Sequence, residues 1–186
     1  MRTSVRVLKA FSTVSGLTTN IDTTHLKRCI ELARQAGRSE EVPVGAIIVC
    51  PSGIVLAEAM NASILDMNAS SHAELIAMGR ARKELNASRL DGCTMYVSLE
   101  PCIMCFGAVL LHKIRRVVYC LPSPKFGAKS LGVVEVTRGR ANHETEFCIA
   151  EGSLGVESAE ILRNFFEKKR GIQSFGIVNP GTNPLP

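Results

Sequence analysis

No stretch of the 186 residues approaches the roughly 18–20 consecutive apolar positions that a membrane-spanning helix needs, so no membrane helix is expected. No internal repeat appears, and nothing in the pattern calls for a second domain. Acids are missing from Met1 to Ile21, which instead hold Arg2, Arg6, Lys9 and several Ser and Thr. That stretch reads as a flexible N-terminal extension, with an organelle transit peptide as the alternative. Acids are also scarce from Lys113 to Arg140, where Glu135 alone stands against Lys113, Arg115, Arg116, Lys125, Lys129, Arg138 and Arg140. With Lys168, Lys169 and Arg170 and a net charge of +5, this distribution suits a polyanion such as RNA; a basic solvated face is the plainer reading. Few anchoring residues occur in Gly171–Pro186, which holds three Pro, three Gly and two Asn and reads as a flexible tail.

Between these ends lies a single domain, residues 22–170, for which 46% hydrophobic residues provide a substantial core. Leu26, Cys29, Ile30, Ala33 and Ala36 recur at helical spacing, with Thr23 or Thr24 as N-cap and Gly37 as stop. Val42–Cys50, the turn Pro51-Ser52-Gly53 and Ile54–Ala57 read as an antiparallel hairpin. A polar loop leads to a helix opening near His72, and Thr94–Leu99 is a strand delivering Glu100-Pro101 to a helix over Cys102–Leu111. Val117–Cys120 and Phe147–Ala150 are strand candidates. Val156–Lys169 is a final helix with Ala159, Leu162, Phe165 and Phe166 as its apolar face. Successive strand-crossover-strand units imply parallel neighbours beside the hairpin, hence a mixed sheet in an α/β fold.

The chemistry concentrates in His72-Ala73-Glu74 and Pro101-Cys102-Ile103-Met104-Cys105. One imidazole and two thiolates make three zinc ligands and leave a fourth tetrahedral position for water, as a catalytic zinc requires. Cys102 and Cys105 share one face of a first helical turn, where the helix dipole lowers thiol pKa. Glu74, two residues beyond His72, is placed to take a proton and return it elsewhere. The arrangement matches H-x-E…P-C-x-x-C, the signature of zinc nucleobase deaminases. A lone C-x-x-C would be a redox pair or half a structural zinc site, but neither accounts for the upstream H-x-E. Cys29, Cys50, Cys93, Cys120 and Cys148 sit mostly in apolar runs and read as small buried hydrophobes in a reducing compartment.

From Leu26 to Arg170 the chain resembles the bacterial-type tRNA adenosine deaminases. The likeness rests on Glu41-Val42-Pro43-Val44-Gly45-Ala46, Asn61, His72-Ala73-Glu74, Tyr96 to Cys102, Lys125-Phe126-Gly127-Ala128, Asn142-His143, Glu151-Gly152 and Phe165-Phe166 through Arg170. The resemblance implies a three-layer α/β/α cytidine deaminase-like fold with a mixed central sheet between helices, usually in a homodimer. It implies one zinc per chain on His72, Cys102 and Cys105, with Glu74 as proton shuttle. Asn61, Val44 and Ala73 would meet the nucleoside, and Phe166, Lys169 and Arg170 the RNA. The expected activity is conversion of adenosine to inosine at the wobble position of a tRNA anticodon stem-loop, in the cytoplasm. Deamination of a free base, nucleoside or nucleotide is the alternative, and a catalytically idle RNA-binding subunit a third. Asn68-Ala69-Ser70-Ser71 and Ser123 depart from the family's usual residues and bear on substrate choice, not on the metal.

Overall fold

A computed structural model describes residues 19–150 and 152–175; the expected extension through residue 18 and the expected tail beyond residue 175 lie outside the described residues. Helix α1, Asn20–Arg38, turns Leu26, Cys29, Ile30, Ala33 and Ala36 inward. Its N-cap is Thr19 and not Thr23 or Thr24. The Thr19 hydroxyl accepts from Asp22 N at 3.1 Å while Asp22 Oδ2 accepts from Thr19 N at 2.8 Å, a closed capping box. Thr23 and Thr24 spend their hydroxyls inside the helix, on the Thr19 and Asn20 carbonyls.

The hairpin forms as β1, Gly45–Val49, and β2, Val55–Met60, antiparallel with Gly45 opposite Met60. Strand β3, Thr94–Leu99, lies antiparallel on the other side of β1, and β4, Arg116–Leu121, and β5, Glu146–Ile149, continue the sheet in parallel. The order is β2-β1-β3-β4-β5. The crossover from β3 to β4 is α3, Ile103–His112. That from β4 to β5 carries a short helix, α4, Val133–Thr137, too brief to announce itself by periodicity.

Helices α1 and α5, Ser153–Phe175, cover one face, and α2, Ala73–Glu84, and α3 the other. The central strands are buried on both sides: Val117 and Tyr119 join Ala77, Met78 and Val109, whereas Val118 and Cys120 join Leu26 and Leu154. Alpha-helix α1 sits so close to β1 that a Cβ at Gly45 would overlap the Cys29 carbonyl. Helix α5 starts before Val156 and passes Lys169, and its buried side is Leu154 and Ser158, not the expected stripe. Only its first turns cross the sheet; Ala159, Leu162 and Phe165 are half-buried and Phe166 is exposed.

Two buried acids tie the layers together. Asp22, 2% exposed, accepts from Tyr96 Oη at 2.7 Å and from both terminal nitrogens of Arg116 at 2.8 and 3.1 Å. Burial alone would raise the Asp22 pKa, but the hydrogen bonds from Arg116, Thr19 and Tyr96 outweigh it and lower it to about 2. Glu100, at the end of β3, accepts from Ser123 N, Lys129 N and Ser130 N at 2.8, 2.9 and 2.7 Å and from the Ser130 hydroxyl. This gathers the loop after β4 against Pro101-Cys102, where Ala128 N donates to Pro101 O. Gly127 is glycine because any Cβ there would overlap the Glu100 carboxyl group.

Because the folded pKa of Asp22 lies below the ordinary aspartate value of 3.8, its stabilising contribution is complete above that value and is lost as pH falls toward about 2. Asp22→Asn should cost about 3 kcal/mol by leaving the half-buried Arg116 without its carboxylate, and urea titrations should show a shallower loss of stability between about pH 4 and 2. Gly127→Ala should cost about 1–3 kcal/mol, and less in a Glu100→Ala background, a coupling that a double-mutant cycle measures.

Candidate active site

Helices α2 and α3 each begin on a residue with extended backbone: His72 at φ −77°, ψ 148° and Cys102 at φ −69°, ψ 171°. Both are N-caps and not first-turn residues, a shift of one position from the sequence expectation, and neither side chain caps its own helix. The start of α2 is instead held by Asn61, whose Oδ1 accepts from Ala73 N at 2.8 Å. The two N-cap side chains are thereby free to face each other. His72 Nδ1 lies 3.7 Å from Cys102 Sγ and 3.5 Å from Cys105 Sγ, and the three atoms all fall within 4.8 Å of one another.

That spacing fits a tetrahedral ion with bonds of about 2.3 Å to sulfur and 2.0 Å to nitrogen. Two sulfurs and an imidazole nitrogen form a soft donor set that suits zinc, and three protein donors leave one position open. Cys105 is fully buried, while His72 and Cys102 are half-buried. The Cys102 thiol is lowered to about 4, chiefly by the hydrogen bond from Cys105, with burial opposing and His72 assisting. The same bond, with burial, pushes Cys105 up. His72 is raised, first by its hydrogen bond to Cys102.

Glu74 sits in the first turn of α2, 3% exposed, with Oε2 making no hydrogen bond. Burial is the main cause of its raised pKa. A buried, unpartnered carboxyl oxygen is costly, and one beside a His-Cys-Cys group is placed to meet whatever occupies the open position. Ala73 is buried between these groups in sequence, and Val44 is buried with its carbonyl accepting from Asn61 N at 3.1 Å.

The remaining expected site residues form a separate cluster on α5. Phe166, Lys169 and Arg170 line a cavity of about 420 Å³ with Val42, Ile64 and Phe165. Lys168 and Lys169 each reach a Glu40 oxygen at 2.8 Å, and Lys169 Nζ lies 5.5 Å from the Phe165 ring centre. The basic segment from Lys113 is thinner than its sequence suggests. Arg116 is withdrawn into the Asp22 pair, and Lys113 and Lys129 donate to the Asn142 and Phe147 carbonyls.

Two supporting acids had no role foreseen. Glu100 orders the loop containing Ser123, and Glu41 Oε1 accepts from Ile64 N and Leu65 N at 2.9 and 2.7 Å, fixing the loop between Asn61 and His72. For Glu100 the available signal was an acid between Leu99 and Pro101 at a strand end, where a solvated charge is unusual; Glu41, beside Glu40, carried no such signal. Ser71, also buried, passes its carbonyl to Ala62 N.

Residues 20–170 match the MafB19-like deaminase family. The chain is 36% identical over 149 residues to the tRNA-specific adenosine deaminase of Bacillus subtilis, covering 80% of this chain and 91% of that one. It is 35% identical over 162 residues to a tRNA(Ile)-lysidine synthase of Deinococcus deserti, which takes in 87% of this chain but only 30% of that one. A solved structure from work on A-to-I editing by tRNA:A34 deaminases at the wobble position superposes with a TM-score of 0.70 at 35% identity, over 75% of this chain and 99% of that one. With a family match across residues 20–170 and this coverage of the Bacillus subtilis relative, the chain belongs to the MafB19-like deaminase family and groups within it with the tRNA-specific adenosine deaminases.

Proposed function

We propose that the protein converts adenosine to inosine at the wobble position of a tRNA, using one zinc ion per chain held by His72, Cys102 and Cys105. The observation that carries the reading is the buried, unpaired Oε2 of Glu74 beside that ligand group. Zinc, when bound, supplies a Lewis acid that brings the pKa of a coordinated water down to about 7. Glu74 then moves the protons. Its carboxylate accepts one from water and delivers it to N1 of the adenine ring as the water oxygen bonds to C6, then carries that oxygen's second proton to the amino group, and the C6–N bond breaks to release ammonia. Burial raises the pKa of Glu74, which suits a group that must hold a proton between these steps.

Within its side chain Asn61 engages Oδ1 in the fold, on Ala73 N, which leaves Nδ2 to the nucleoside, with Val44 and Ala73 as walls of the base pocket. The target base must leave its stack to reach such a pocket, which an anticodon loop permits more readily than a duplex. Phe166 and the Lys168-Lys169-Arg170 stretch of α5 provide an aromatic face and cations for the flanking RNA. A free-base deaminase would not need that cluster. The catalytic domain comprises residues 22–170. Exposed Ile103, Met104 and Leu111 on α3 support a homodimer. Among the described residues no helix is long and apolar enough to cross a membrane, in keeping with a cytoplasmic tRNA enzyme.

Elemental analysis should find one zinc per chain, and Cys102→Ala should lose both metal and turnover. Glu74→Gln should keep zinc and RNA binding while turnover on an A34 anticodon stem-loop falls by at least ~10²–10⁴. Loss of zinc in that variant would make Glu74 a ligand; wild-type turnover would remove it from the mechanism. Free adenosine, guanine and cytosine, assayed in parallel, should remain unconverted.

Replacing Lys168, Lys169 and Arg170 with Ala removes three cations and releases Glu40 from its two ion pairs. Stem-loop affinity should fall, and the dependence of log K on log salt should flatten by about 0.7 per lost phosphate contact. An unchanged affinity and slope would reduce this cluster to a solvated surface.

A further inference from the structure

Of the five cysteines outside the His-Cys-Cys group, Cys29, Cys93, Cys120 and Cys148 are buried as expected, but Cys50 is partly exposed. Cys50 directly follows β1 and Cys93 directly precedes β3. The antiparallel register runs Ile47↔Tyr96, Ile48↔Met95, Val49↔Thr94, so the next facing pair is Cys50 and Cys93. Two observations show that the segments stay together past the ladder. A Cβ on Gly92 would stand 3.0 Å from Pro51 Cγ. Both cysteines also pack in one apolar cluster, on the face shared by Ile48 and Met95.

Backbone hydrogen bonds define the kind of pair. Cys50 N donates to Ile54 O and Cys50 O accepts from Gly53 N, both within the hairpin turn toward β2. Cys93 N donates to Leu90 O and Cys93 O accepts from Arg115 N, on the side of β4. Neither uses its backbone on the other, which is the non-hydrogen-bonded antiparallel position, with facing Cα atoms about 4.5 Å apart and Cβ atoms about 4.5–5.5 Å. A disulfide needs Cα atoms about 4.4–6.8 Å and Cβ atoms about 3.5–4.5 Å apart, so closure requires only a small approach of the side chains.

We infer that Cys50 and Cys93 form a redox-modification site at which a low-molecular-weight disulfide, such as glutathione disulfide, is reduced while a cross-strand protein disulfide is made. Cys50 is the point of entry. Its Sγ lies 3.0 Å from Ser52 Oγ at the exposed turn, and that hydrogen bond lowers the thiol pKa. The Cys50 thiolate attacks one sulfur of glutathione disulfide, forming a mixed disulfide and releasing one glutathione thiolate. Cys93 loses its proton to solvent and attacks Cys50 Sγ, which expels the second glutathione as thiolate. Two protein thiols are oxidised and one small disulfide is reduced to two thiols. Burial pushes the Cys93 thiol up to about 11, so the second step is slow and the mixed disulfide accumulates first. The site stands at the far ends of β1 and β3 from Asn61 and Cys102, which leaves the ligand group outside the reaction.

The test treats zinc-loaded, full-length protein with glutathione disulfide, blocks residual thiols by alkylation at timed intervals, and maps the peptides by mass spectrometry. A glutathione adduct on Cys50 should appear first and give way to a Cys50–Cys93 linked peptide, with zinc content unchanged. In Cys93→Ala the Cys50 adduct should persist. In Cys50→Ser, with folding confirmed by circular dichroism, Cys93 should remain unmodified. Linkage of any other cysteine pair, a Cys50 adduct in the wild type that never passes to Cys93, or modification of Cys93 in Cys50→Ser would overturn the assignment.

Discussion

Helices α2 and α3 each start on a residue whose side chain is withheld from the backbone, and the ligand group depends on it. An N-cap side chain ordinarily accepts from the first-turn amides. His72 and Cys102 occupy that position without doing so, and for α2 the task passes to Asn61 Oδ1. The extended backbone at each N-cap points the imidazole and thiol away from their helices and toward each other. Cys105, one turn into α3, completes the group. Two helix N-termini then converge on the same small volume, and their dipoles favour the negative charge that a thiolate brings.

The sheet puts these starts side by side. Strand β2 ends at Met60 and hands the chain to Asn61, and β3 ends at Leu99 and hands it through Glu100-Pro101 to Cys102. Because β1 pairs with both strands, their ends are fixed relative to each other by main-chain hydrogen bonds. The loops around the site are held by buried acids. Glu41 and Glu100 each gather backbone N–H groups from a loop that could not otherwise satisfy them. Glu74, like Glu41, leaves its Oε2 buried and unpaired, but Glu41 spends its other oxygen on two loop N–H groups, whereas Glu74 lies against His72 and Cys102. Such an atom is tolerated where chemistry requires it.

The charged surface shows a second principle. Cations adjacent in sequence do not share a fate, because an ion pair is decided by which acid the fold brings near. Arg116 is captured by Asp22, while neighbouring Arg115 is exposed. Lys168 and Lys169 meet at Glu40, which fixes that part of α5 near the cavity of Val42 and Ile64.

The gathering of His72, Cys102 and Cys105 was legible in sequence alone, because a set of metal donors demands particular residue types at short, fixed spacings. The strand positions and mixed sheet were legible too, since β-branched apolar runs and crossover lengths are local properties. Tertiary structure decided the rest. Thr19 could be recognised as the N-cap only once Asp22 was seen between it, Tyr96 and Arg116, and the buried side of α5 only once its first turns met β4. Glu100 and Gly127 acquire meaning together, as a carboxyl group and the missing Cβ that makes room for it. Sequence periodicity reports which face of an element is apolar; which distant residue that face or charge will meet depends on how the elements pack, and no local pattern encodes it.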